Sequence, residues 1–367
     1  MVKKAILTVG FIGCFFMVQA QTVIKEAANN LALYSTSKDF ALLEKAKKSI
    51  DDVYKTRKDS VSYRHNLLRS MIYANLANAD AKRKLAYKKD PADEALFSLR
   101  KLTNVKQNDE HSAEIIFIRK QLANYFLVRA NGQLSALNYS NALYAYRMVD
   151  SLTSGDIKVK HNLALLSERL GQAVKAESYY KQLIEDKEHA LPDYFMALSN
   201  LYDNRGDFNK SMEVLQKGRE LFPGNRDMLF KMINRYADNG QYNAVTTLIG
   251  DALNLDPENQ NLNYLAGFSY EYSGNRSLAE GYYKKVIDLD ANNYDANYSL
   301  GLLYLNLYAK NNKEETLQDA GKYLARAREI SPNQVNLLKS LIVYYGITND
   351  TGEAEKVKNV LNQIILN

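Results

Sequence analysis

The sequence predicts an all-α solenoid of tandem helix–turn–helix units, and three observations carry that prediction. Tyr202, Tyr236, Tyr270 and Tyr304 stand thirty-four residues apart. Gly206, Gly240 and Gly274 keep the same period four residues further on. Between those marks the apolar residues fall three and four apart, the spacing of one helix face, and strand-like alternation is nearly absent. A period in the range of about 20–50 residues belongs to chains whose units bury their apolar faces only against their neighbours.

The first element, residues 1–20, reads as a secretory signal peptide. Lys3 and Lys4 precede an apolar run from Ala5 to Val18, and Val18-Gln19-Ala20 suits cleavage after Ala20. A run of fourteen residues is short for a membrane span, which needs about twenty. An uncleaved anchor and a lipoprotein are the alternatives. Against the lipoprotein, Phe11-Ile12-Gly13-Cys14 lacks the usual Leu three positions before the cysteine, and apolar residues continue through Phe15, Phe16 and Met17. Cys14 is the only cysteine, so cleavage leaves a chain without thiols: no disulfide, no thiolate metal site, no cysteine nucleophile. The expected location is periplasmic or at the cell surface.

Residues 21–136 carry a weak repeat signal and read as degenerate N-terminal helical repeats. They also hold the charge asymmetry: residues 45–120 contain 18 Lys and Arg against 10 Asp and Glu, in a chain whose overall net charge is +6. The densest cluster is Lys82, Arg83 and Lys84 with Lys88 and Lys89. Such a patch either faces an anionic partner, such as an envelope surface or acidic protein, or is a solvated helix face.

From residue 137 to 367 the repeats sharpen, most clearly over 192–332. Ala142, Tyr146 and Val149 mark one unit; Gly171, Ala176 and Tyr180 mark the next. The unit from Pro192 places Phe195, Leu198 and Tyr202 on one face, breaks at Arg205-Gly206-Asp207, resumes through Met212, Leu215 and Leu221, and stops at Pro223. The unit from Arg226 supplies Tyr236, Gly240, Ala252 and Pro257, and the unit from Gln260 supplies Gly267, Tyr270, Ala279 and Tyr283. From Tyr294 come Gly301 and Tyr304, with Ala320, Ala327 and Pro332 arriving seven residues late. That delay calls for a longer turn near Lys310–Glu315 or for longer helices. A last unit begins at Val335 with Leu338, Tyr345 and Ala354.

These units resemble the tetratricopeptide repeat. Its pattern sets aromatics at unit positions 4, 11 and 24, small residues at 8, 20 and 27, and Pro at 32. Counted from Pro192, positions 11, 20, 27 and 32 are Tyr202, Ser211, Gly218 and Pro223. The resemblance implies a right-handed α-solenoid in which small residues let helices approach closely and most repeat tyrosines fill the core.

A catalytic reading finds no material. Neither GxxxxGK[ST] nor GxGxxG occurs, and His65, His111, His161 and His189 form no HExxH pair. His111 and Glu114, three apart, read as a surface pair. Asp288, Asp290, Asn292 and Asp295 open like a calcium loop, yet its sixth and twelfth places hold Asn293 and Ser299 instead of Gly and Glu. The run instead falls at a repeat junction, where Asp and Asn cap helices. No enzyme activity and no cofactor or metal are expected, and export leaves nucleic acid an unsuitable partner.

The tetratricopeptide resemblance also implies a concave groove lined by first-helix positions 2, 5, 9, 12 and 13. Position 5 is Met196, Phe230, Tyr264 and Tyr298 in successive units; position 9 is Asn200, Asn234, Phe268 and Leu302. An amide-bearing stretch at Asn200 and Asn234 would pass into an apolar, aromatic one, a surface suited to a peptide or protein segment anchored by apolar side chains. The basic clamp by which some members hold a C-terminal carboxylate needs Lys and Arg at positions 5 and 9, and none stand there. The expected function is a non-catalytic interaction scaffold of the cell envelope. The alternative is a binder of carbohydrate or envelope polymer that uses Tyr264, Phe268 and Tyr298 as stacking platforms.

Overall fold

The structure, a computed structural model, describes residues 22–153 and 155–366, so the expected leader and Cys14 lie outside the described residues. Every regular element among those residues is a helix. The chain divides into two compact units, one ending at Leu201 and the other beginning at Tyr202.

In the first unit, α1 (22–37) sets Ile24, Ala27, Leu31 and Tyr34 into the core at three- and four-residue spacing. There follow α2 (Phe40–Val53), α3 (Arg57–Val61), α4 (Tyr63–Ala79), α5 (Pro91–Arg100), α6 (Val105–Glu110), α7 (Ser112–Ser135), α8 (Tyr139–Thr153), α9 (Ile157–Arg169) and α10 (Ala173–Glu185). One apolar cluster runs from Ile24 to Leu166. Where the repeat signal is weakest, a buried polar knot holds the helices instead. Arg69 of α4 lies between the rings of Tyr54 and Tyr73, 4.6 and 4.3 Å from their centroids. It donates to Asp51 of α2 at 2.5 Å and to Glu94 of α5 at 3.0 Å, and the Tyr73 hydroxyl donates to the same Asp51. A guanidinium buried in this way needs partners on several sides, and three helices supply them.

Helix α11 (Pro192–Asp203) crosses the division. The second unit continues with α12 (Phe208–Leu221), α13 (Arg226–Asp238), α14 (Tyr242–Leu255), α15 (Gln260–Tyr272), α16 (Arg276–Leu289), α17 (Tyr294–Asn311), α18 (Glu314–Ile330), α19 (Val335–Ile347) and α20 (Thr351–Leu366). From α12 to α20 each helix packs chiefly on its sequence neighbours, the contact pattern of stacked helix pairs. Tandem helix–turn–helix repeats, as the tetratricopeptide pattern implies, are what the chain forms.

The periodic glycines close the first helix of each pair. Gly206, Gly240 and Gly274 have φ of 73°, 67° and 81°, a left-handed conformation open to glycine at no steric cost. Around each, the next residue donates five back (Asp207 to Tyr202, Gln241 to Tyr236, Asn275 to Tyr270), while the glycine N–H reaches three back. The same cap recurs at Gly171, at Leu137 (φ 58°) and at Asn349 (φ 58°). The cap therefore extends the repeat beyond the residues that announce it.

The seven late residues lengthen helices, not the turn. Helices α17 and α18 have 18 and 17 residues, against 13 and 14 in α15 and α16, and the turn between them is capped by Asn312 at φ 52°. Position 4 of two repeats, where the pattern sets an aromatic, holds a buried Asn. Asn263 donates to the carbonyls of Pro257 and Asn259, and Asn297 to those of Ala291 and Asn293, pinning the helix start to the incoming chain.

Candidate binding cleft

Helix α15 starts at the N-cap Asn259, whose side chain accepts the Leu262 N–H at 3.0 Å. Its buried side is Leu262, Asn263, Ala266, Gly267 and Ser269. That leaves Tyr264, Phe268 and Glu271 along one stripe at spacings of four and three. Helix α17 is laid down in the same register. Asn293 caps it, Ala296, Asn297, Leu300 and Gly301 face the core, and Tyr294, Asp295, Tyr298, Ser299 and Leu302 do not share that face. The two stripes meet with Gln334 and Asn336 at the start of α19 around a cleft of about 390 Å³.

Close helix approach packs the wall of the cleft tightly. A Cβ on Gly267 would stand 2.7 Å from the ring of Tyr283, and one on Gly301 would stand 2.8 Å from Leu324. Tyr283 is fully buried; its hydroxyl donates to Glu271 at 2.8 Å and its ring lies 5.7 Å from that of Tyr264. The hydroxyls of Tyr264 and Tyr298 pair with Ser299 and Ser340 at 3.2 and 3.3 Å. Tyr294 and Tyr298 stack at 5.7 Å and 11°. Burial, then the neighbouring Tyr298, Asp295 and Tyr264, push the Tyr294 phenol up to about 12. Burial likewise raises Tyr264, with Asp295 and Glu271 adding to the rise against the Ser299 bond. Both carboxylates thus act on the Tyr264 phenol.

Four expected groove residues, Tyr264, Phe268, Tyr298 and Leu302, thus come together. Phe230 packs half-buried against the core around Leu229 and Ile233, under the guanidinium of Arg226 at 4.9 Å, and Asn234 is exposed; neither lines the cleft. Asn200 is exposed in the first unit. The expected groove residues did not include Tyr294, at position 1 of its unit, nor Glu271 and Asp295. The two acids occupy positions 12 and 2 of their units, so extending the position series beyond 5 and 9 would have found them.

The basic cluster lies on the loop between α4 and α5, not on a helix. Lys82, Lys84, Lys88 and Lys89 are exposed, whereas Arg83 turns inward to Asp90 at 2.7 Å and the Tyr125 hydroxyl at 3.1 Å. His111 pairs with Glu114 at 3.2 Å. Asp290 accepts the Asn292 N–H at 2.9 Å in the turn before α17. Among the described residues no group of three His, Cys, Asp or Glu could hold a metal ion, and no helix is long and apolar enough to cross a membrane.

No protein-family model and no curated protein matches the chain. Solved structures similar to it include MamA, 20% identical over 47% of this chain and 91% of that one at a TM-score of 0.42. MamA 41-end from Desulfovibrio magneticus RS-1 is 18% identical over 49% of this chain and 98% of its own, at a TM-score of 0.37. YrrB, described as a TPR protein with an unusual peptide-binding site, is 18% identical over 52% and 93%, at 0.35. At those TM-scores the likeness carries no inference, and the fold stands on this chain's own helices and caps.

Proposed function

We propose that the chain is a non-catalytic interaction scaffold of the cell envelope that holds a peptide or protein segment in the cleft between α15, α17 and α19. The observation that carries this reading is the preformed cleft of about 390 Å³, walled by Tyr264, Phe268, Tyr294, Tyr298 and Leu302. Rings already packed against their neighbours lower the ordering cost of binding, and the amides of Gln334 and Asn336 orient a backbone. The leader-like residues 1–20 support placement in the envelope.

Crosslinking in the native envelope, purification through a C-terminal tag and mass spectrometry test the reading. Phe268→Ala is the control variant of choice, because Phe268 is 37% exposed while Tyr264 helps hold the core. Truncating a central aromatic anchor costs about 2 kcal/mol or more, so capture falls by more than about tenfold. Proteins recovered in fixed ratio and lost with Phe268→Ala establish the scaffold. Recovery of glycan in their place puts the carbohydrate-binding alternative first.

A further inference from the structure

We infer that the cleft selects a lysine or arginine side chain of the segment it binds. This rests on the peptide-binding reading above and deepens it. Among the described residues, four rings line the space (Tyr264, Phe268, Tyr294 and Tyr298), together with two carboxylates, Glu271 and Asp295, and no Lys, Arg or His. A π face is negative, and so is a carboxylate. The one common protein group that satisfies both is an ammonium or guanidinium, which lies over the ring and donates to the acid.

The repeat upstream shows the contrast within this same chain. There Arg226, at unit position 1, covers the ring of Phe230, at position 5, at 4.9 Å. In the three units that build the cleft, position 1 is Gln260, Tyr294 and Val335, so none of them places a cation there. The cations that do reach rings nearby, Lys284 over Tyr304 and Lys322 over Tyr323, sit on rings that do not line the cleft. Lys339, three residues beyond Asn336 on α19, is exposed and outside the lining.

Each carboxylate also has a local task. Glu271 Oε2 accepts the Tyr283 hydroxyl, as Glu168 accepts that of Tyr180 twelve residues on, and Asp295 stands in the first turn of α17, where a negative charge suits the helix dipole. Neither task exhausts the acid: a carboxylate offers about four acceptor sites, so both retain capacity for an incoming donor. A neutral sugar could donate hydroxyls to the two acids but brings no positive charge to offset theirs, and a C-terminal carboxylate would be repelled by them. Charge complementarity therefore points to a cationic peptide side chain.

The test is selection of a phage-displayed random dodecapeptide library on the immobilised full chain, followed by fluorescence polarisation with the enriched peptides. Enriched peptides are expected to share a Lys or Arg, and replacing it by Gln should weaken binding tenfold or more. Glu271→Gln with Asp295→Asn should abolish that preference while far-UV circular dichroism stays unchanged. Asp295→Asn alone, at an exposed position, gives the same reading in part should the double variant unfold. Peptides that bind equally well with Gln in that place, yet are lost with Phe268→Ala, overturn the cation inference and leave the groove reading intact. No enrichment, or enriched peptides indifferent to Phe268→Ala, overturns the groove reading and the inference together.

Discussion

Gly267→Ala puts the packing behind the cleft to a quantitative test. The added methyl would stand 2.7 Å from two ring carbons of Tyr283 and 3.2 Å from a third. Carbon atoms in contact prefer about 3.5–4.0 Å, so the ring must retreat by about 1 Å. It has little room to do so: Tyr283 is fully buried, bonded to Glu271 at 2.8 Å and set against Tyr264. Overpacking of this kind costs about 1–3 kcal/mol, and replacing glycine inside a helix returns up to about 1 kcal/mol. The expected net loss is about 1–2 kcal/mol. With a urea slope of about 1–3 kcal/mol/M, the circular dichroism midpoint should fall by roughly a third of a molar to two molar. Gly250→Ala is the matched control, because Gly250 is exposed in α14 and a Cβ there meets nothing within 4 Å. It should gain up to about 1 kcal/mol from helix propensity alone. If Gly267→Ala proves as stable as the parent while Gly250→Ala behaves as stated, the close approach at Tyr283 is refuted. Displacing Tyr283 also moves Tyr264, so peptide binding should weaken in the same variant.

Leu137→Gly should stabilise the first unit, since Leu137 holds φ 58° at a glycine position and is 68% exposed. Left-handed strain of about 1–2 kcal/mol less a glycine entropy cost of about 0.5–1 kcal/mol predicts a gain of about half a kcal/mol, read from a urea midpoint. Acid should loosen the 80–90 loop. Burial by itself would raise the Asp80 carboxyl, but the N–H groups of Leu85 and Lys84 and the Tyr87 hydroxyl outweigh it and hold the group below its ordinary value. Burial opposes the shift at Asp90 too, and the Arg83 bond overcomes it. Groups depressed in the folded state stabilise fully above their unfolded value of about 4 and lose that contribution as pH falls through the folded one. Amide exchange across residues 80–90 should therefore stay slow above about pH 5, relative to the intrinsic rate, and quicken progressively below about pH 4. Asp80→Asn should loosen the loop at neutral pH and blunt the acid response, and a loop equally protected at both pH values would contradict the bonding.

How much of this was legible beforehand varies along the chain. The thirty-four-residue period located the turns at Gly206, Gly240 and Gly274 because a left-handed cap is a local requirement that only glycine meets without strain. At Leu137 and Asn349 the same cap carries other residues, so composition gave no sign of it there. The Arg69 knot was invisible for a different reason: its partners Asp51 and Glu94 are 18 and 25 residues away, and no periodicity relates them. In the cleft, Tyr264, Phe268 and Tyr298 could be placed from unit positions 5 and 9, whereas Tyr294 at position 1 could not. Their partners in space could not, because the space exists only once α15, α17 and α19 stand side by side.

The sequence by itself determined the helical pairs, their period and the two short stripes Tyr264–Phe268 and Tyr298–Leu302, since spacing along one helix is a property of the chain. Tertiary structure alone decided which of those residues share a cavity, that Phe230 and Asn234 stand apart from it, and that Arg83 faces inward to Asp90. It also decided that Glu271 and Asp295 meet around four rings without a basic residue of the chain among them, because charge balance in a cleft is a sum over helices that meet only in the folded state.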